Sequence, residues 1–254
     1  MDDFERAKII YDTYGATSYE DLAPTDPGYD VYADAIRSGC RHKAGGARVL
    51  DLGCGTGRWF HCLENIRFLV GVDASRPMLA IAKDRLRRAD QKSNGQCFPY
   101  ALIEADIRSI SFAPEGFDFI YSTGVLGEYV KLDDYMLKSI LMWLSKGGIA
   151  FLTIVDRYYY KLNSYPYISM RNRFLKLLIR DFFENFSIAT SSFSRLFSSN
   201  ILRRIVSLHD YSNIYMTEHD ITTLLTRISY QSRSNIYSFH DRKHLHLGIL
   251  LTKY

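Results

Sequence analysis

The chain has 254 residues, 47% of them hydrophobic and 24% charged, and a formal net charge of +4. That length suits one α/β domain with a sizeable core, and those proportions exclude extensive disorder. No run approaches the roughly 18 apolar residues a membrane span needs, and Met1-Asp2-Asp3-Phe4-Glu5-Arg6 has acids where a signal peptide is basic, so a soluble cytoplasmic protein is expected.

In chain order, Arg48 to Leu52 reads as a buried strand running into a glycine-rich turn, with a helix expected from about Gly57. Phe68 to Asp73 is a second strand. Ser75 is placed to cap the next helix, Pro77 suits its first turn, and Met78 to Ala89 is apolar at helical spacing. Ala101 to Glu104 and Phe117 to Tyr121 are strands three and four. Leu132 to Leu144 reads as an amphipathic helix stopped by Gly147-Gly148, and Ile149 to Val155 as strand five.

The regular alternation then breaks. Residues 156–212 hold no clear strand, but Arg171 to Phe186 and Ser194 to Leu208 are apolar near the helical period, which predicts a helical insert after strand five. Between Arg157 and Leu208 nine Lys/Arg face only Asp181 and Glu184, so a basic, aromatic-rich segment sits on a slightly acidic body. Thr217-Glu218-His219-Asp220 resembles a capping box with Asp in place of Glu, opening a helix to about Ser229. Asn235 to Phe239 and Leu245 to Leu251 close the chain as a hairpin. Strands alternating with helices predict one α/β domain over residues 1–254, doubly wound around a mostly parallel sheet.

The cysteines Cys40, Cys54, Cys62 and Cys97 form no C-x-x-C pair, which reads as reduced thiols. His244 and His246 share a face if the last strand starts at Leu245, with His240 across the turn. No acid cluster or cysteine accompanies them, so turn and surface roles are favoured and no metal site is expected.

The most informative stretch is Asp51-Leu52-Gly53-Cys54-Gly55-Thr56-Gly57. Glycines at these spacings let the backbone turn tightly and approach a ligand. Asp73 ends the next strand about 20 residues on, where an acid can accept hydrogen bonds from both ribose hydroxyls of an adenosine. A dinucleotide fingerprint would need glycine at Arg58, which weakens NAD. Asp51 stands just before the turn, and acids with backbone carbonyls suit an ammonium and sulfonium better than a pyrophosphate.

Val49 to Gly57, Gly71-Val72-Asp73-Ala74-Ser75, Glu104-Ala105-Asp106-Ile107 and Phe117-Asp118-Phe119-Ile120, in this order and spacing, resemble the core of class I S-adenosylmethionine-dependent methyltransferases. The resemblance implies a seven-stranded sheet with one antiparallel strand and S-adenosylmethionine as cofactor. It implies that Gly53, Cys54 and Gly55 line the methionine portion through their backbones, that Asp51 orients its amino group and that Asp73 holds the ribose. Ala74 and Met78 would lie against the adenine, Asp106 would accept from its amino group and Ile107 would cover the ring. Ser122 and Val125 would border the methionine end. Residues 1–40 would form a helical cover, with Tyr11 and Tyr19 closing over the cofactor. Plainer readings stand beside three of these: Met78 as core, Asp106 as a turn aspartate and the tyrosines as terminal-helix packing. Asp118 reads as a structural acid.

Methyl transfer displaces an already activated sulfonium in line, so alignment alone can supply about 7–11 kcal/mol of the barrier. A general base is needed only if the acceptor must lose its proton early. Glu128, beside Tyr129, and His209 are the candidates. Many relatives carry a Glu-His pair after strand four, and this chain has none. The insert at 156–212, with Tyr158-Tyr159-Tyr160 and its basic surplus, would cap the acceptor pocket. It would favour a small molecule that is anionic or aromatic, methylated on oxygen or nitrogen. An RNA or other nucleic-acid methyltransferase is the alternative, disfavoured because Ser122-Thr123-Gly124 is not the Asx-Pro-Pro-aromatic turn used on base amines. A third reading is a cofactor-binding or membrane-peripheral module without turnover, its Arg171 to Arg180 stretch lying on anionic lipid. Oligomeric state is not legible.

Overall fold

The computed structural model describes residues 3–12, 30–92, 98–156, 215–228, 232–240 and 245–254. Its elements are α1 (Asp3–Ile10), α2 (Asp30–Arg41), β1 (Ala47–Leu52), a 3₁₀ helix (Arg58–Cys62), β2 (Ile66–Asp73), α3 (Arg76–Lys92), β3 (Tyr100–Glu104), β4 (Phe117–Ser122), α4 (Asp134–Trp143), β5 (Leu144–Val155), α5 (Glu218–Thr226), β6 (Ser232–His240) and β7 (Leu245–Lys253).

Seven strands form one sheet in the order β3-β2-β1-β4-β5-β7-β6. Strands β1 to β5 pair in parallel, while β7 runs antiparallel to both β5 and β6 and is the one reversed strand. All six residues of β4 are buried, as a central strand covered on both faces requires. One core gathers Ile36, Cys40, Phe60, Leu79 and Leu86 against Val49 and Phe119. The other packs Leu137, Ile140, Ile221 and Leu225 against Leu50, Ile120 and Leu152. The sheet is therefore doubly wound. Its strand order reverses between β1 and β4, and ligands bind outside the carboxyl ends of the strands at such a point.

Three local expectations change. The turn after β1 opens not onto a full helix but onto a five-residue 3₁₀ helix. Only Leu63, Glu64 and Asn65 separate it from β2, and Asn65 is left-handed (φ 52), reversing the chain before another helical turn can form. Strand β5 starts at Leu144 rather than Ile149, because Leu144 pairs with Phe117 before the register shifts and Ile149 meets Phe119. Gly147, at φ 72, takes up the irregularity. Ser75, finally, does not cap α3 with its side chain, as set out below. The capping box is present: Asp220 N donates to Thr217 Oγ1 at 3.1 Å and Thr217 N to Asp220 Oδ2 at 2.8 Å. Residues 157–214, with the predicted insert, lie outside the described residues, as does His244. Among the described residues no helix is long and apolar enough to cross a membrane.

Asp118 locks β4 to β1. Its carboxylate accepts from Arg48 N at 3.1 Å, Arg48 Nε at 2.8 Å, Arg48 Nη2 at 3.0 Å and Ser145 Oγ at 2.8 Å. Burial alone would raise its pKa, but the Arg48 guanidinium and the other donors hold it well below the usual carboxylate range.

Candidate active site

The glycine turn is built by β2. Gly53, Gly55 and Gly57 have φ of 79, 52 and 69, a region that side chains rarely enter, and a Cβ at Gly53 would overlap Val125. The N–H groups of Gly53 and Cys54 both donate to the Val72 carbonyl, at 2.8 and 2.9 Å. Gly55 N donates to Asp73 Oδ2 at 2.8 Å, and Gly57 N to the Cys54 carbonyl at 2.8 Å. A phosphate cradle works through backbone N–H groups free to face the anion. Here four of them are spent inside the protein, so this turn suits a cation or a neutral group.

Beside the turn, at the carboxyl ends of β1 to β4, lies a cleft open to solvent. One wall is Gly53, Asp73, Ala74, Ser75, Ala105, Ile107, Val125 and Tyr129. The other is α1 and the turn after it, through Phe4, Ala7, Lys8 and Tyr11. Tyr11 Oη donates to Tyr129 Oη at 3.0 Å with the rings edge to face. At the far end the Arg108 guanidinium stands 4.0 Å from the Phe4 ring centre. Lys8 Nζ pairs with Asp12 Oδ2 at 2.6 Å.

Asp73 is the acid of this cleft. Its Oδ1 accepts from Ser75 N at 2.9 Å and its Oδ2 from Gly55 N. Burial raises its pKa, reinforced by the Asp12 charge, while the N–H groups of Ser75, Gly55 and Ala74 pull the other way. Each oxygen keeps a lone pair for a ligand.

Of the residues singled out in the sequence, the structure brings Tyr11, Gly53, Asp73, Ala74, Ile107 and Val125 onto the cleft wall. Cys54 and Met78 are buried, and Met78 Cε comes within 3.4 Å of where a Cβ on Gly55 would stand. Gly55 takes part through its bond to Asp73. Asp106 forms a turn, accepting from Arg108 N at 2.8 Å and pairing with Arg108 Nη2 at 2.7 Å. Ser122 is fully buried, and its hydroxyl donates to the Leu52 carbonyl at 2.7 Å, tying β4 to β1. Glu128 is half-buried on the 124–130 loop that also carries Val125 and Tyr129. Tyr19 and His209 lie outside the described residues. Sequence reasoning missed Phe4, Ala7 and Lys8. With Tyr11 they fall at i, i+3, i+4 and i+7, one helical face, and that spacing was the available signal.

Asp51 is buried behind the turn, only 2% exposed. Burial pushes its carboxyl up to about 8, partly opposed by the Tyr121 hydroxyl and reinforced by the Asp73 charge. An acid with a raised folded pKa contributes stability at low pH that is lost as pH climbs from the unfolded value through the folded one. Asp51→Asn removes that slope. Its advantage in urea-melt stability over the wild type should grow by on the order of 4 kcal/mol between about pH 5 and about pH 9. A gap that does not change with pH would show that Asp51 is ionised normally.

Residues 49–148 match the family of methyltransferase domains. No curated protein sequence matches significantly. Among solved structures, magnesium protoporphyrin IX methyltransferase from Synechocystis PCC 6803, with bound S-adenosylmethionine, is similar over 100% of this chain and 98% of its own, at 11% identity and TM-score 0.61. An S-adenosylmethionine-dependent methyltransferase from Leishmania major is similar over 99% and 83%, at 15% identity and TM-score 0.60. The plantazolicin methyltransferase, in complex with S-adenosylhomocysteine, is similar over 98% and 97%, at 14% identity and TM-score 0.57. At these identities the structural likenesses show the fold. The matched stretch contains the glycine turn, Asp73 and the 124–130 loop, and the solved structures share the fold around it. Residues 49–148 thus carry a methyltransferase domain.

Proposed function

We propose that this enzyme moves the methyl group of S-adenosylmethionine to an oxygen or nitrogen of a small anionic or aromatic metabolite by in-line displacement. The observation that carries the cofactor half is the spent backbone of the glycine turn beside Asp73. A site whose Gly53, Cys54, Gly55 and Gly57 N–H groups are spent, with an acid beside them, favours a sulfonium nucleoside over a pyrophosphate. Asp73 would take the ribose hydroxyls, Ala74 and Ile107 the adenine, and Gly53 and Val125 the methionine end. The acceptor half draws on the basic, aromatic segment between Arg157 and Leu208. Lys/Arg there would pair with a carboxylate or phosphate, and tyrosines would stack on an aromatic ring.

Thermal-shift measurements with S-adenosylmethionine, S-adenosylhomocysteine and NAD should show stabilisation by the first two alone. Stabilisation by NAD alone would overturn the reading. Methyl transfer to a panel of carboxylated and phenolic metabolites, run beside RNA at two salt concentrations, tests the acceptor. Steeply salt-dependent RNA binding would favour a nucleic-acid substrate instead.

Glu128 is the base candidate within the described residues. If it takes the acceptor's proton, Glu128→Gln should lower kcat by about 10²–10⁴ with cofactor affinity unchanged. A kcat within about 3-fold of wild type would instead place the catalytic burden on alignment alone.

A further inference from the structure

Ser75 sits between β2 and α3 and does its structural work entirely with its backbone. Its carbonyl accepts the first helical bond from Leu79 N at 3.1 Å, and its N–H donates to Asp73 Oδ1. A serine in this place ordinarily bonds the N–H of the second or third helical residue. The second is Pro77, which has no N–H to give. The Ser75 hydroxyl is buried with no hydrogen-bond partner, in a residue 2% exposed. Such a group is costly to bury and rare in native folds. Ser75 also lines the cleft, next to Asp73 and Ala74.

Resting on the reading of this cleft as the nucleoside site, we infer that Ser75 is a specificity-determining residue whose hydroxyl donates a hydrogen bond to a ribose oxygen of the cofactor. The donor count favours such a group. An ionised Asp73 is acceptor-only, so it satisfies the two O–H groups of the ribose diol but none of the diol's oxygen lone pairs. The N–H groups of Gly53, Cys54, Gly55 and Gly57 are already committed within the fold. The Ser75 O–H is an uncommitted donor on the same wall. Asp73 and Ser75 together present acceptors and a donor to one diol. A nucleoside lacking the touched hydroxyl returns Ser75 to its unpaired state.

The test is calorimetric titration of wild type and Ser75→Ala with S-adenosylhomocysteine and its 2′-deoxy and 3′-deoxy forms. Ser75→Ala should weaken S-adenosylhomocysteine by about 5- to 10-fold, the worth of one neutral hydrogen bond. The same substitution should leave the affinity for one of the two deoxy ligands unchanged. The melting temperature of the ligand-free variant should stay the same or rise, since an unpaired buried hydroxyl has been removed. Equal loss on all three ligands, or no loss on any, overturns the proposal. So does a wild type that binds all three alike, a result that needs no variant. A wild type that binds none of them, with the protein folded, strikes the nucleoside reading itself and is distinguishable from a failure of Ser75 alone.

Discussion

Asp73→Ala is expected to weaken S-adenosylmethionine binding by at least about 100-fold, because on the proposed reading of the cleft it removes a charged acceptor from two ligand hydroxyls at once. The same change orphans the N–H groups of Gly55 and Ser75, which now end on its two oxygens. Each such loss in a buried site costs about 1–3 kcal/mol, so the ligand-free protein should melt earlier as well. Asp73→Asn separates the two effects. It keeps one acceptor oxygen and the side-chain volume but loses the charge. The other position becomes a donor, which can no longer accept from a ribose O–H or from the N–H that now ends there. Asn should therefore recover part of the stability and little of the affinity. Calorimetry with both variants checks this, and an unchanged dissociation constant for Asp73→Ala would remove the acid from the binding site altogether.

The largest effect on folding should come from Asp118→Ala. The wild-type carboxylate is 4% exposed and takes four donors from Arg48 and Ser145, with Lys43 Nζ at 3.4 Å. Breaking a buried pair by removing one partner typically costs about 3–5 kcal/mol. The Arg48 side chain is 30% exposed and can recover some hydration, so about 2–4 kcal/mol is expected here. Against a typical domain stability of about 5–15 kcal/mol that is a large share. The sign with pH is fixed by the depressed folded pKa. Its stabilisation is present above the ordinary carboxylate value and drains away as pH falls below it. Chemical melts should show the wild type converging on Asp118→Ala in acid and pulling away near neutrality. Two curves that stay parallel throughout would mean the pair is not what holds β4 to β1.

The parallel half of the fold was legible because β1, β2 and β4 carry apolar runs long enough to be buried on both faces. Asp73 was legible for a related reason, since a strand that ends in an acid at this distance from a glycine turn places its carboxylate beside that turn. What escaped was set by tertiary pairing. The early start of β5 depends on Leu144 finding Phe117, and nothing local announces it. Ser122 reads as a site residue by position, yet its hydroxyl is taken by the Leu52 carbonyl across the sheet. Asp106 is likewise taken by its neighbour Arg108. The shortened helix after Gly57 was open to counting, because too few residues remain before β2 for more than one or two turns.

The wiring of the glycine turn to the tip of β2 has a thermodynamic corollary. Because Val72 and Asp73 fix that segment before any ligand arrives, association there need not immobilise a floppy main chain. Binding at this end should therefore carry a small conformational-entropy penalty, the advantage that preorganisation confers. The favourable and unfavourable terms measured by calorimetry then report chiefly on displaced water and on whatever else closes over the nucleoside.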